Sequence, residues 1–111
     1  MRATWLGHAS VLLDIGGVRI LTDPLLRPRL GPLRRRHDLP LHRHVDDVDA
    51  VLLSHLHHDH ADLPSLRRLG QVPVLTDPLN LPWLDKHQLG VGDAARDTWH
   101  PVAPGVDILL V

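Results

Sequence analysis

The sequence contains no cysteine, no phenylalanine and no tyrosine, and Lys86 is its single lysine against eleven arginines. Without cysteine there can be no disulfide and no thiolate-rich metal site, so any metal ion must be held by nitrogen and oxygen donors. That composition suits a reducing compartment. No run approaches the ~20 apolar residues that a membrane-spanning helix needs, and Met1-Arg2-Ala3-Thr4-Trp5 lacks the apolar core of a secretory signal. A cytoplasmic protein that does not span a membrane is the expectation. A formal charge of −1 sets up no strong field of the kind that steers nucleic acid. The arginines also have no aromatic stacking platform beside them, so no nucleic-acid partner is expected.

What the chain does have is histidine, ten in 111 residues. Chance alone makes close pairs at that density, and a solvated turn rich in histidine needs no metal. The stretch Ser54-His55-Leu56-His57-His58-Asp59-His60-Ala61 is more specific, because His55, His57, Asp59 and His60 fit H-x-H-x-D-H directly behind the apolar run Ala50-Val51-Leu52-Leu53. Imidazole and carboxylate are ligands for first-row metals, and crowding them together is costly without a cation to bridge them. Ligands two residues apart do not share a helix face, where neighbours lie three or four apart, so the motif belongs on a loop. Such a loop can turn His55 and His57 towards one ion and Asp59 and His60 towards a second, and a metal pair of this kind activates water for hydrolysis. His58, in the variable position, is a bystander.

Ser54 to Asp62 (SHLHHDHAD) resembles the signature loop of the metallo-β-lactamase superfamily. Trp5-Leu6-Gly7-His8-Ala9-Ser10 and Leu21-Thr22-Asp23-Pro24 resemble the branch that includes the N-acylphosphatidylethanolamine phospholipase D-like and ascorbate-6-phosphate lactonase-like hydrolases. The resemblance runs over nearly the whole chain. It implies an α/β fold, the N-terminal βα half of a layered αββα sandwich, with residues 1–111 forming a partial domain that stops after the first half. It also implies hydrolysis of an ester, lactone or phosphodiester by a metal-bound hydroxide, on a small-molecule or phospholipid-like substrate. The implied cofactor is Zn2+ in a two-metal site, with Mn2+ or Fe as alternatives, and the ligands are His55, His57, Asp59 and His60. Asp59 is in addition the catalytic candidate, accepting a hydrogen bond from the hydroxide. His8 taken alone reads as a hydrogen-bonded histidine of a turn. Within the family's G-H element it is expected to face the active site, supporting a ligand or touching substrate rather than coordinating metal. Asp23 reads either as a turn cap or, in its T-D-P element, as an outer support of the site.

Along the chain, residues 2–6, 10–14 and 18–22 read as a strand meander with a tight turn at Gly16-Gly17. Val11, Leu13, Val18 and Ile20 recur at period two, and Leu12 and Leu21 add bulk on the opposite face, so both faces are expected to be covered. Residues 25–49 form an irregular basic loop interrupted by Pro28, Pro32 and Pro40 and carrying Arg27, Arg29, Arg34, Arg35, Arg36 and Arg43. A solvated loop is favoured there over an anionic-headgroup contact. Within it His42-Arg43-His44-Val45-Asp46-Asp47 imitates H-x-H-x-D but lacks the preceding strand and the final histidine. Residues 50–53 read as a strand buried on both faces. Asp62 is expected to cap a helix with Pro64 in its first turn and Leu63, Leu66 and Leu69 on one stripe before Gly70. A strand over 72–76 then leads to Asp77, capping a helix over 78–88 that Gly90 stops and Pro82 confines, with His87 a surface residue near its end. Strands over 94–99 and 106–111 are joined by a loop at 101–105, and His100 has no partner motif.

A complete domain of the resembled family takes a downstream histidine, a bridging aspartate and a final histidine from its second half. No counterpart is found, which leaves each ion two protein ligands where a catalytic zinc keeps three. The expectation is a hydrolase segment weakly active or inactive as this chain alone. The alternative is a non-catalytic split or vestigial half-domain that binds metal weakly or pairs with a partner chain. A sheet face bearing Val51, Leu53 and the terminal strand is expected to lie uncovered, favouring self-association or a complementary half-domain.

Overall fold

Two adjacent glycines set the first turn. Gly16 and Gly17 have φ of 57° and 83°, the left-handed backbone that a two-residue hairpin needs to follow strand twist, and they join β2 (Ser10–Ile15) to β3 (Val18–Thr22). β1 (Arg2–Gly7) pairs antiparallel with β2, so the expected meander forms. The computed structural model describes residues 1–30, 32–34, 45–92 and 95–111. His42, Arg43 and His44 of the imitation motif, together with Arg35 and Arg36, fall outside the described residues.

The basic loop is less irregular than its composition suggests: β4 (Arg29–Leu30) and β5 (Leu33–Arg34) pair antiparallel within it. β6 (Ala50–Leu52) then returns parallel to β3 with Leu21 opposite Val51, and β7 (Val74–Leu75) lies parallel to β6 with Val51 opposite Val74. The result is a mixed sheet of order β1-β2-β3-β6-β7. Between β6 and β7 run the histidine loop and α1 (Leu63–Arg68), where Asp62 accepts the Ser65 N–H at 3.2 Å as the expected cap.

The helix expected over 78–88 is split. Pro78–Asn80 forms a 3-10 turn capped by Asp77, whose carboxylate accepts the Leu79 N–H, and α2 runs only over Leu81–Lys86. Pro82 is the physical reason, since it has no N–H and its ring clashes with the carbonyl four residues back in a continuous α-helix. Gly90 does not stop the helix either. Gln88, at φ 56°, takes the left-handed position, while Gly90 is needed because a Cβ there would collide with the Val72 carbonyl.

Leu12, Leu21 and Val51 stand in register on one sheet face, and with Leu6, Leu53, Leu66, Val74 and Leu84 they form the main apolar cluster. Leu66 and Leu84 show that α1 and α2 cover this face. It is the face opposite the period-two set Val18 and Ile20, which are also buried; both faces are covered, as expected. The expectation that Val51 and Leu53 lie uncovered is corrected, because under the helices they are 1% and 3% exposed.

The last strands are β8 (Thr98–Ala103) and β9 (Val106–Leu110), a separate hairpin turning at Gly105. The expected loop at 101–105 is mostly strand, because a bulge between Pro101 and Ala103 accommodates a residue that cannot donate to the ladder. Among the described residues no helix is long and apolar enough to cross a membrane.

Candidate metal centre

The site assembles where the parallel strands end. β3 is followed by Asp23 and β6 by Ser54, and the Asp23 N–H donates to the Leu52 carbonyl at 2.9 Å, which keeps the two ends side by side. The carboxyl ends of neighbouring parallel strands are where open α/β sheets place their ligands. The turn between β1 and β2 is tied to the same edge by two hydroxyls. Thr22 Oγ1 donates to the Ala9 carbonyl at 2.8 Å and accepts the Val11 N–H at 2.9 Å, while Ser10 Oγ donates to the Asp23 carbonyl at 2.7 Å. Thus the W-L-G-H-A-S and T-D-P elements, far apart in sequence, share one set of hydrogen bonds.

Asp23 organises the histidines. Its carboxylate, 5% exposed, accepts from Ser54 N at 2.7 Å, Ser54 Oγ at 2.6 Å and His60 Nδ1 at 2.8 Å. An ionised carboxylate only accepts, so Nδ1 of His60 carries a proton, and Nε2 is the ring nitrogen left for another partner. Ser54 Oγ spends its own proton on Asp23 and therefore accepts from His55 Nδ1, 2.8 Å away. In His55, as in His60, Nε2 is the ring nitrogen that this support leaves available. A carboxylate holding the remote nitrogen of an imidazole is the usual support of a metal-binding histidine.

The rings converge. The His57 carbonyl accepts from both His60 N at 2.9 Å and Ala61 N at 2.8 Å, closing one turn that brings positions 57 and 60 to the same side. The His55 ring centroid lies 4.5 Å from that of His57 and 4.1 Å from that of His60. Asp59 Oδ2 sits 3.5 Å from His60 Nε2 and 2.8 Å from His8 Nε2. Desolvation pushes the Asp59 carboxyl up, but the hydrogen bonds from His8 and its own backbone N–H and the charges of His60 and His8 outweigh it, holding the group below the ordinary 3.8. One ligand atom each from His8, Asp59 and His60 lie within 4.8 Å of one another. The donor set fits a divalent cation, because two imidazoles and an ionised carboxylate each bring one ligand atom to a common point.

Of the four motif residues, Asp59 and His60 bring ligand atoms together, with His8 as the third member of that group, while His55 and His57 adjoin it through ring contacts, His57 to His55 and His55 to His60; Asp23 touches His60. Sequence reasoning missed Ser10, Thr22 and the relay through Ser54; their signal was a hydroxyl at or beside each strand end. Among the described residues, His87 and His100 stay apart from the cluster. His100 is 1% exposed with Nε2 donating to the Ala95 carbonyl at 2.6 Å, and His87 packs against Trp83. Leu56 and His58, the loop positions that alternate with the ligands, line an open groove with Trp83 and Arg27. Arg27 also forms a forked ion pair with the buried Asp62, so this arginine of the basic loop anchors the start of α1.

The sequence profile described as the beta-lactamase superfamily domain matches residues 2–108. N-acyl-phosphatidylethanolamine-hydrolyzing phospholipase D 1 of Caenorhabditis elegans is 40% identical over 73 residues, covering 60% of this chain and 20% of that protein. A metal-dependent hydrolase of Aeropyrum pernix is 37% identical over 59 residues, covering 53% of this chain and 22% of that protein. The chain thus spans about a fifth of the length of these curated relatives. Among solved structures, the isothiocyanate hydrolase from Delia radicum gut bacteria superposes with a TM-score of 0.71 at 21% identity, over 87% of this chain and 41% of that one. The fold is shared.

Proposed function

Since this chain belongs to the metallo-β-lactamase superfamily, we propose that it carries the ligand-bearing segment of a two-metal hydrolase acting on an ester, lactone or phosphodiester. His55, His57, Asp59 and His60 hold the cations in this reading, with zinc first and manganese or iron as alternatives, since nitrogen and oxygen donors suit all three. The observation that carries it is the Asp23 carboxylate, which engages Nδ1 of His60 and, through Ser54 Oγ, Nδ1 of His55, so that Nε2 is the nitrogen of each ring left to serve an ion. A bound divalent ion would supply Lewis acidity, lowering the pKa of water and polarising the substrate oxygen. Asp59, ionised, accepts a hydrogen bond from the attacking water and orients it. A phospholipid-like or other amphiphilic substrate is favoured by the likeness to a phospholipase and by the groove along Leu56 and Trp83 beside the loop.

The reading is tested by loading the chain with Zn2+ or Mn2+, dialysing, and measuring bound metal and hydrolysis of ester, lactone and phosphodiester probes. This chain alone is expected to turn over weakly, because its motif offers each ion two ligands. Loss of both metal and turnover in His57→Ala supports the assignment. Metal and turnover unchanged by that substitution would refute it.

A second reading, a non-catalytic half-domain that self-associates or pairs with a complementary chain, is favoured by the β8–β9 hairpin. Trp99 and Leu109 stand opposite each other there and remain 63% and 37% exposed, and a two-stranded sheet is marginal by itself. Sedimentation at rising concentration tests it: association that Trp99→Ser abolishes, without hydrolysis under any metal, selects this reading.

A further inference from the structure

Building on the metal-site reading above, we propose that His8 is itself a metal ligand, completing with Asp59 and His60 a three-ligand cation site within this chain. The three ligand atoms lie within 4.8 Å of one another. Two imidazole nitrogens converge on one oxygen, His8 Nε2 at 2.8 Å and His60 Nε2 at 3.5 Å from Asp59 Oδ2. His60 Nδ1 donates to Asp23, so Nε2 is the ring nitrogen turned towards Asp59 and the one that can serve an ion. A cation seated among the three atoms would be coordinated by Asp59 and His60, and His8 stands at the same point with a third donor.

The turn bearing His8 is built to hold it there. His8 has φ 51°, a conformation that residues other than glycine seldom take, and its carbonyl accepts the Trp5 indole N–H at 2.9 Å. The side chains of His8 and Asp59 are 46% and 40% exposed, so an ion reaches them without disturbing the core. Two imidazoles and a carboxylate make a three-ligand set of the kind that catalytic zinc uses, with a position left open. In the absence of metal His8 Nε2–H donates to Asp59. On binding, that proton passes to Nδ1 or to solvent, and the Nε2 lone pair turns to the ion.

Cobalt titration of the full chain separates a ligand from a mere hydrogen-bond donor, using the unaltered protein, His8→Ala and His8→Gln. Glutamine can still donate to Asp59 but is a poor ligand. Both variants are expected to lose more than about 100-fold in Co2+ affinity, beyond the 10–100-fold typical of removing an outer support, and to change the visible cobalt spectrum. Wild-type affinity and spectrum in His8→Gln would overturn the proposal while leaving the metal-site reading intact. No cobalt uptake by the unaltered chain would overturn both. Should His8→Ala fail to fold by circular dichroism, His8→Gln decides. Nitrogen-15 NMR of the zinc-loaded unaltered chain needs no variant: loss of the His8 Nε2 proton with a shift of that nitrogen on metal binding supports ligation, and a retained His8 Nε2–H defeats it.

Discussion

Asp23 and His60 are separated by 37 positions in the chain and by 2.8 Å in the fold, carboxylate oxygen to ring nitrogen. The parallel pairing of β3 with β6 creates this proximity, because it sets the residue that ends one strand beside the loop that leaves the other. Orientation of the histidines is thereby a property of the sheet.

Substitution of Asp23 by asparagine removes the charge and turns one of the two accepting oxygens, which serve Ser54 and His60, into a donor. Asp23→Asn is expected to lower metal affinity by about 10–100-fold, measured by competition with a chelator. Ser54→Ala is expected to act through the same carboxylate, so the double variant should lose less than the sum of the single losses. Strict additivity would argue against the relay.

Asp62 joins α1 to the segment after β3. It is 3% exposed, accepts from Ser65 and takes both donors of the Arg27 fork, while Ser65 Oγ accepts the Leu26 N–H at 2.8 Å. Asp62→Ala removes a helix cap and leaves buried donors without a partner, a loss of about 1–3 kcal/mol. A clear fall in the thermal midpoint of the metal-free protein is the expected reading, and an unchanged midpoint would contradict the anchoring role.

Gly90 packs its Cα against backbone, with the Gln71 carbonyl oxygen 2.9 Å from where a Cβ would stand and that of Val72 nearer still. Backbone cannot swing aside as a flexible side chain can. Gly90→Ala is expected to destabilise by about 1–3 kcal/mol, read by denaturant unfolding, whereas Gly90 as a helix stop would predict a loss confined to helicity.

Asp77 is one surface source of acid sensitivity, beside Asp59. The hydrogen bond from Arg96, with a further one from the Leu79 N–H, holds the Asp77 carboxyl below its ordinary 3.8 against desolvation. A depressed folded value contributes stability that is present above 3.8 and fades as pH falls through the folded value. Thermal midpoints of the unaltered chain and Arg96→Gln should therefore differ at neutral pH and converge in strong acid. A gap that persists in acid would point to another cause.

Much of the site was legible in the sequence because H-x-H-x-D-H is local. Ligand types, their loop setting and the strand behind them are all contained in a dozen residues, and the Asp62 cap and the Gly16-Gly17 turn are equally local. What escaped is non-local. The G-H element gave His8 a place facing the site but not its partner at position 59, and the hydroxyls of Ser10, Thr22 and Ser54 act only across paired strand ends. The cover of Val51 and Leu53 was misjudged for the same reason: the sequence pattern does not say where α1 and α2 dock, and they close over these residues. Pro82 shows the opposite limit: its effect is local, yet it shortened a helix whose existence the pattern had foretold.

The bond from the Trp5 indole to the His8 carbonyl has an optical consequence. With no tyrosine or phenylalanine in the chain, its near-ultraviolet emission is indole light alone, and one of its three sources is fastened to the turn that carries His8. That fluorophore, 69% exposed, makes the protein its own reporter: a paramagnetic ion settling in the cluster would dim Trp5 ahead of Trp83 and Trp99.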